Sequence, residues 1–254
     1  MITVFGRYDV TNSTSGKPNT RLWSIINRDS SRVGPNFNLD TEKNMRLESQ
    51  SIVDYAPMAE ELCFCVPAKE GHVQMGENRN PELSFADIPE GTRSLVLLCV
   101  DPDVPTKPDD VNQEGRSVPA SLPRCDFYHW VMVDIPPDTS GIEAGAASSG
   151  ITAKGKREPA GPAGSRQGLN DYTNWFAGDA DMGGDYLGYD GPCPPWNDEI
   201  LHHYNFLLFA TDLERCPVEG NFTGQDVLAA IEGHVLAAES LTGVYSLNPA
   251  LRWK

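Results

Sequence analysis

From Glu61 onward the sequence consists of short apolar segments separated by Pro, Gly, Asp and Asn, a texture typical of a sheet protein. Three of these segments are rich in β-branched, aromatic and Leu residues and are predicted to be buried strands. They are Ser94–Val100, Phe127–Ile135 and His203–Ala210. The pairs Asp101-Pro102 and Pro136-Pro137 should end the first two strands, because proline has no N–H to contribute to a sheet. The chain is therefore expected to be mainly β.

One segment near the C-terminus has the pattern of an amphipathic helix. Thr223 resembles an N-cap residue, with the acidic Asp226 three positions later as in a capping box. Apolar residues then recur at helical spacing, which predicts a C-terminal helix that runs to about Leu241. These apolar residues are Val227, Leu228, Ile231, Val235 and Leu236.

Two parts of the chain show no sustained helical or alternating pattern. Residues 1–60 are polar and are predicted to form an N-terminal extension to a domain of residues 61–254. This extension is expected to be loosely ordered or to wrap around the domain. The stretch 141–191 is full of Gly, Ala, Ser and Asp and is predicted to be a long loop rather than a second domain. Because residues 1–60 hold seven basic and seven acidic side chains, the whole net charge of −16 belongs to residues 61–254.

The acidic surface and the composition argue against several function classes. Nucleic acids and anionic lipid surfaces are not expected partners, because the negative charge repels their phosphates. No apolar run approaches the roughly 20 residues that a membrane span needs. The N-terminus shows no secretory pattern, so we expect a cytoplasmic protein. The six cysteines match neither a disulfide framework nor a zinc site and are expected to be free thiols.

Several histidines lie on the predicted strands. Because side chains alternate along a strand, His202 and Tyr204 should share one face of the third strand while His203 points away. On the second strand, the same rule places His129 on the face of Val131. Taken alone, a histidine on a strand is usually a core residue with its hydrogen bonds satisfied.

Two further elements lie close to these strands in sequence. Asp101 and Asp103 follow the first strand, and the Gly191–Pro195 segment precedes the third. Three of the five residues in that segment are prolines, so a free main-chain donor must come from Gly191 or Cys193. A stiff loop of this kind can present an N–H group to an anion.

Six short motifs follow one another over roughly half of the chain. They are Asn80–Gly91 (NPELSFADIPEG), Asp101–Pro105 (DPDVP), Tyr128–Val133 (YHWVMV), Gly168–Tyr172 (GLNDY), Gly188–Pro195 (GYDGPCPP) and His202–Tyr204 (HHY). With these motifs the chain from about Asn78 onward resembles the phosphatidylethanolamine-binding protein family, which includes the Raf kinase inhibitor protein. The resemblance implies a large central antiparallel sheet packed with a smaller sheet, and peripheral helices including a C-terminal helix.

The resemblance also implies a small pocket for phosphate or a phosphorylated head group. The pocket positions of the family correspond to Asp101, His129, Pro194, His202 and Tyr204. We expect both histidines to donate N–H groups, Tyr204 its hydroxyl and Cys193 its main-chain N–H. One of Asp101 and Asp103 should be paired with a histidine or turned outward, because two ionised carboxylates would repel a phosphate. The usual Arg of the family's His-Arg-Tyr motif is His203 here, so a fixed guanidinium charge is absent.

This pattern favours a binding protein without a cofactor over an enzyme, and the resemblance permits a role as an inhibitor or regulator of a protein kinase or protease. Two alternatives stay open. Asp101, His129 and His202 together could bind a transition metal. A hydrolase could use His129 as base and Cys193 or a water as nucleophile, although no Gly-x-Ser-x-Gly or Cys/His signature is present.

Overall fold

The computed structural model describes residues 44–252, and residues 1–43 and 253–254 lie outside the described part. The strands in this part are β1 (Arg46–Glu48), β2 (Ala56–Pro57), β3 (Cys65–Pro67), β4 (Val73–Met75), β5 (Leu83–Ala86), β6 (Ser94–Pro105), β7 (Arg124–Ile135), β8 (Gly141–Ile142), β9 (Arg166–Gln167), β10 (His202–Thr211) and β11 (Val235–Tyr245). The helical segments are a 3-10 turn (Glu60–Leu62), α1 (Tyr172–Trp175) and α2 (Gly224–Ala230). The protein is thus mainly β, as predicted.

A six-stranded sheet forms the centre of the protein, in the order β2, β11, β10, β6, β7, β9. Neighbouring strands are antiparallel, except that β2 runs parallel to β11. The three strands predicted from the apolar runs correspond to β6, β7 and β10. They lie next to one another in the middle of the sheet, where the longest pairings occur.

The central strands are apolar without interruption because both of their faces are covered. On β6, Leu95 and Leu97 pack in one core cluster, whereas Val96 and Leu98 pack in the cluster on the opposite face. Strands buried on both faces read as continuous apolar runs instead of alternating ones. The second cluster includes Val227 of α2, so this helix covers one face of the sheet.

A three-stranded sheet of β1, β5 and β8 packs against the other face of the central sheet. Its strand β1 belongs to the segment predicted to be an N-terminal extension. Met45, Leu47, Ile52 and Met58 are all buried in the main core cluster. Residues 44–60 are therefore part of the folded domain, and the rest of the predicted extension, residues 1–43, lies outside the described residues. These core residues are isolated among polar ones, so they leave no periodic pattern in the sequence.

The C-terminal helix is much shorter than predicted. Its capping box is present, because the Thr223 hydroxyl accepts from the Asp226 N–H and the Asp226 carboxylate accepts from the Thr223 N–H. The helix is followed by Gly233 with a φ of 85° and by Val235, the first residue of β11. The predicted end near Leu241 is wrong, since the glycine leaves the helical conformation and β11 pairs along the whole of β10. No helix in residues 44–252 combines the length and the apolar composition needed to cross a membrane.

The strand ends agree with the prediction in one case and differ in the other. Strand β7 ends immediately before Pro136, as expected. Strand β6 continues past Pro102 to Pro105, with an irregular pairing to β7 between Asp101 and Val104. A proline is tolerated there because an interrupted ladder does not need its N–H. The stretch 141–191 is mainly loop, as predicted, and carries β8, β9 and α1.

Two of the six cysteines form a disulfide. Cys65 of β3 and Cys193 are bonded, with their Cα atoms 4.7 Å apart, and the Cys65 N–H donates to the Pro192 carbonyl. The expectation of six free thiols is therefore wrong for this pair. Their sequence separation is 128, so no local spacing could reveal the bond. Cytoplasmic location stays a prediction. The disulfide argues against it, because such bonds persist mainly in oxidising compartments. The free cysteines in the described residues are Cys63, Cys99, Cys125 and Cys216.

Candidate functional site

A small cavity lies where β6, β7 and β10 meet α1 and the Gly191–Pro195 loop. Its volume is about 40 Å³, which is more than one water molecule needs. Its walls are formed by Asp101, Val104, Pro105, Phe127, His129, Tyr172, Trp175, Cys193, Pro194, Pro195, His202 and Tyr204. The structure therefore brings together all the predicted site residues except Asp103.

His202 is buried between two carboxylates. Its Nδ1 lies 2.7 Å from Asp101 Oδ2, and its Nε2 lies 3.2 Å from Asp198 Oδ2. Burial acts to lower the pKa of His202, but the two carboxylates outweigh burial and raise this pKa to about 9. At neutral pH His202 is thus an imidazolium that donates both N–H groups to carboxylates. The expectation that it donates to a bound anion is corrected, since no N–H group is left for a ligand.

The second carboxylate of this arrangement, Asp198, is also held by an arginine. Arg124 donates to both of its oxygens, from Nη1 at 2.6 Å and from Nη2 at 3.0 Å. Burial acts to raise the pKa of Asp198, but hydrogen bonds from His202 and Arg124 lower it overall. Together with Asp101, these groups form a buried network of two carboxylates and two cations. Each charge has an opposite partner, which a buried charge requires.

His129 has the opposite ionisation state. Its Nδ1 lies 2.7 Å from the main-chain oxygen of Asp190. A carbonyl oxygen only accepts, so Nδ1 carries the proton and Nε2 of the neutral ring is an acceptor. Burial is the largest influence on His129 and lowers its pKa to about 4, although Asp101 opposes this shift. The expected N–H donor is therefore an acceptor at neutral pH.

The face of β7 on which His129 lies also differs from the prediction. The register between β6 and β7 shifts between Cys99 and Val100, so β7 carries a β-bulge next to His129. The His129 ring lies 5.1 Å from the ring of Tyr204, whereas Val131 packs in the core cluster on the opposite face. Strict alternation predicts the wrong face for His129, because His129 is the extra residue of the bulge and has no partner on β6.

The carbonyl that orients His129 is fixed by a buried polar cluster around Asp190. The Asp190 carboxylate accepts from Asn78 at 2.7 Å, from Asn170 at 2.8 Å and from Lys156 at 2.6 Å. Burial raises the pKa of Asp190, while Lys156 acts to lower it. These residues were not predicted as part of the site. Asn170 lies within one of the six motifs, whereas the other two show no local signal.

Two hydrogen-bond donors at the cavity are not engaged by the protein. Tyr204 is 1% exposed, and its hydroxyl has no hydrogen-bond partner among the described residues. Leaving such a group unpaired costs about 1–3 kcal/mol, which is typical of a position that a ligand completes. In the proline-rich loop, the Gly191 N–H donates to Asn78 Oδ1. The Cys193 N–H has no partner in residues 44–252, so it is the main-chain donor that the loop retains.

Asp103 and His203 form a pair beside the cavity. His203 Nδ1 lies 2.7 Å from Asp103 Oδ2, and the His203 side chain is 39% exposed. The prediction that His203 points away from His202 and Tyr204 is confirmed. The prediction is that one of Asp101 and Asp103 pairs with a histidine or turns outward, and in the structure both carboxylates pair with a histidine. Asp103 does not line the cavity and is removed from the set of pocket residues.

The remaining wall of the cavity is apolar and aromatic, and no Lys or Arg of the described residues lines it. Within residues 44–252, no group of three His, Cys, Asp or Glu side chains is arranged to hold a metal ion. The alternative of a metal site built from Asp101, His129 and His202 therefore gains no support.

Comparisons with known proteins agree with this fold. A family model described as phosphatidylethanolamine-binding protein matches residues 49–246. A UPF0098 protein of Methanothermobacter thermautotrophicus is 35% identical over 170 residues, which are 67% of this chain and 84% of that protein. The UPF0098 protein YbhB of Escherichia coli is 32% identical over 171 residues, again 67% and 84% of the two chains.

Solved structures extend the likeness to three dimensions. The crystal structure of Escherichia coli YbcL, described as a new member of the mammalian PEBP family, has a TM-score of 0.57 and 26% identity, and the match covers 80% of this chain and 98% of YbcL. A homologue from Chlamydia trachomatis, CT736, has a TM-score of 0.54 and 27% identity, with 80% and 97% covered. The chain belongs to the phosphatidylethanolamine-binding protein family.

Proposed function

We propose that this protein binds phosphate, or the phosphorylated head group of a small molecule, in the cavity between His129 and Tyr204. The observation that carries this proposal is the buried, unpartnered hydroxyl of Tyr204 at the cavity wall. Cys193, whose N–H has no partner in residues 44–252, lines the same cavity and provides a second donor for the proposed ligand. Phosphoryl oxygens are strong acceptors, and a charged acceptor makes the hydrogen bond stronger.

The substitution Tyr204→Phe tests this assignment. We expect it to weaken binding of inorganic phosphate and O-phosphorylethanolamine by about 1.5–3 kcal/mol, or roughly 10- to 150-fold, the usual worth of a hydrogen bond to a charged group. The free protein should lose no stability, because the hydroxyl that is removed has no partner in the protein. Titration calorimetry measures the first effect and thermal unfolding the second.

Tyr186→Phe is the matched control. The Tyr186 hydroxyl is buried and donates to the Met182 carbonyl at 2.7 Å, and Tyr186 does not line the cavity. This control should lower stability and leave anion affinity unchanged. A wild-type protein without measurable affinity for either anion would refute the proposal, as would Tyr204→Phe binding both as tightly as wild type.

We also propose that the protein acts by binding and does not hydrolyse its ligand. Two observations support this: the Cys193 sulfur is held in a disulfide and is not a free nucleophile, and His129 with a pKa of about 4 is a weak base at neutral pH. Assays with simple phosphoesters and peptides should show no turnover. Turnover that disappears in His129→Ala would contradict the proposal. Regulation of a kinase or protease rests on the family resemblance alone.

A further inference from the structure

We propose that the cavity selects anions that carry an ionisable proton, such as the monoanion of a phosphomonoester, over anions that carry none, such as sulfate or a phosphodiester. This inference rests on the proposed anion-binding function and specifies its ligand class. It follows from three residues that line one cavity. His129 uses Nδ1 on the Asp190 carbonyl and keeps Nε2 as an acceptor, whereas the Tyr204 hydroxyl and the Cys193 N–H are donors without a partner in residues 44–252.

The acceptor is defined by geometry. His129 Nδ1 donates to the Asp190 carbonyl at 2.7 Å, and the buried side chains around Asp190 hold this carbonyl in place. A fully deprotonated anion would therefore bring an oxygen lone pair against the lone pair of Nε2. An anion with a hydroxyl group can instead donate to Nε2 while its other oxygens accept from Tyr204 and Cys193.

The charges around the cavity do not provide another way to hold a fully deprotonated anion. His202 gives both of its N–H groups to carboxylates, and no Lys or Arg of residues 44–252 lines the cavity. Asp101, which does line it, repels an anion. The groups that face the His129 ring are Asp101 of β6, Phe127 of β7, Tyr172 of α1, His202 and Tyr204 of β10, and the carbonyls of Asp190 and Gly191.

Sulfate could bind only if His129 took up a proton. Burial lowers the pKa of His129 to about 4, so only about one in a hundred His129 side chains is protonated near pH 6. The need for this protonation should weaken sulfate affinity by about a hundredfold at that pH. A phosphomonoester has a second pKa of about 6 and brings the proton itself. The two anions should therefore show different pH dependences.

The probes are methyl phosphate, dimethyl phosphate and sodium sulfate, titrated into the wild-type protein by calorimetry. Near pH 6 we expect methyl phosphate to bind at least about tenfold more tightly than the other two. Its affinity should be constant below about pH 6 and fall about tenfold per unit above it, whereas sulfate affinity should rise about tenfold per unit as the pH is lowered. Dimethyl phosphate represents the diester of an intact phospholipid, so this arm separates a lipid from a free phosphomonoester.

The variant His129→Gln tests the residue that is assigned. Its side-chain amide can donate to sulfate, so the preference for methyl phosphate should fall below about threefold. His203→Ala, whose side chain lies outside the cavity, should keep the wild-type preference. Equal wild-type binding of methyl phosphate and sulfate would overturn this inference and leave the proposed function standing, and a preference that persists in His129→Gln would overturn it as well. If no anion binds, the proposed function fails and the inference fails with it. Should His129→Gln not fold, the wild-type ratio decides the matter alone.

Discussion

Replacing Cys65 and Cys193 together by alanine, or reducing their disulfide, is expected to lower the free energy of unfolding by about 2–5 kcal/mol. The bond joins positions separated by 128 residues, and in the chain-entropy account a long closed loop restricts the unfolded ensemble most. The bond also ties β3 to the proline-rich loop that contributes three residues to the cavity wall. Urea unfolding with and without dithiothreitol measures the effect.

The double alanine variant is also the control for the reductant. Dithiothreitol should change the stability of wild type and leave that of Cys65→Ala/Cys193→Ala unchanged. Equal unfolding free energies of wild type in the two conditions, with complete reduction verified by thiol titration, would contradict the prediction.

The loop has other attachments that survive reduction. The Tyr172 hydroxyl donates to the Gly191 carbonyl at 2.7 Å, and the Gly191 N–H donates to Asn78 Oδ1 at 2.8 Å. Both contacts lie at the start of the loop and fix its entry. Reduction should therefore change the free energy of unfolding of the domain by more than it changes the free energy of anion binding.

The central sheet could be predicted because its strands are buried on both faces. Leu95 to Val100 form an uninterrupted apolar run, and such a run needs no knowledge of distant partners to be recognised. The β-strand after α2 could not be predicted in this way. Val235 and Leu236 fit the helical spacing, and only Gly233 indicates a break in the helix. This segment becomes a strand because it pairs with β10, and a local sequence pattern does not show that pairing. The disulfide was hidden for the same reason.

The candidate site shows the same division between local and distant information. Alternation along β10 correctly separated His202 and Tyr204 from His203, because this strand pairs regularly through those positions. Alternation predicted the wrong face for His129, because the β-bulge in β7 places this side chain on the other face of the sheet. The partners that decide protonation were hidden as well, since Asp198 and the Asp190 carbonyl are located by tertiary folding. The motifs thus predicted which residues meet, but not which of them donate.

Asp198→Asn is expected to lower the free energy of unfolding by about 3–5 kcal/mol at a pH near 6.5. The substitution keeps the shape of the side chain but removes its charge, so Arg124 and the His202 imidazolium lose a carboxylate while they stay buried. Breaking a buried charge pair is costly because the remaining charge is uncompensated. Chemical unfolding at one fixed pH measures this difference.

The pH dependence of wild-type stability gives a second measure of the same network. The pKa of His202 is about 9 in the folded protein and about 6.5 in an unfolded chain, so above pH 6.5 the folded state holds a proton that the unfolded state releases. The resulting stabilisation is fully present below about pH 6.5 and is lost as the pH rises through 9, with a slope of at most about 1.4 kcal/mol per pH unit. Measurement from about pH 6.5 to 8 avoids most of the contribution of unfolded thiols, which ionise near 8.5.

In Asp198→Asn the pKa of His202 should fall, since one of the two carboxylates that raise it is removed, and the decline of stability between pH 6.5 and 8 should become shallower than in wild type. The hydrogen bond to Asp103 raises the pKa of His203, so His203 also contributes to the decline of stability in this pH range. The variant His203→Ala is therefore the control. This control should keep most of the wild-type slope, because His203 is partly exposed and Asp103 interacts with it in solvent. If wild-type stability is constant over this range, or if Asp198→Asn declines as steeply as wild type, then His202 is not the imidazolium that its two buried carboxylates imply.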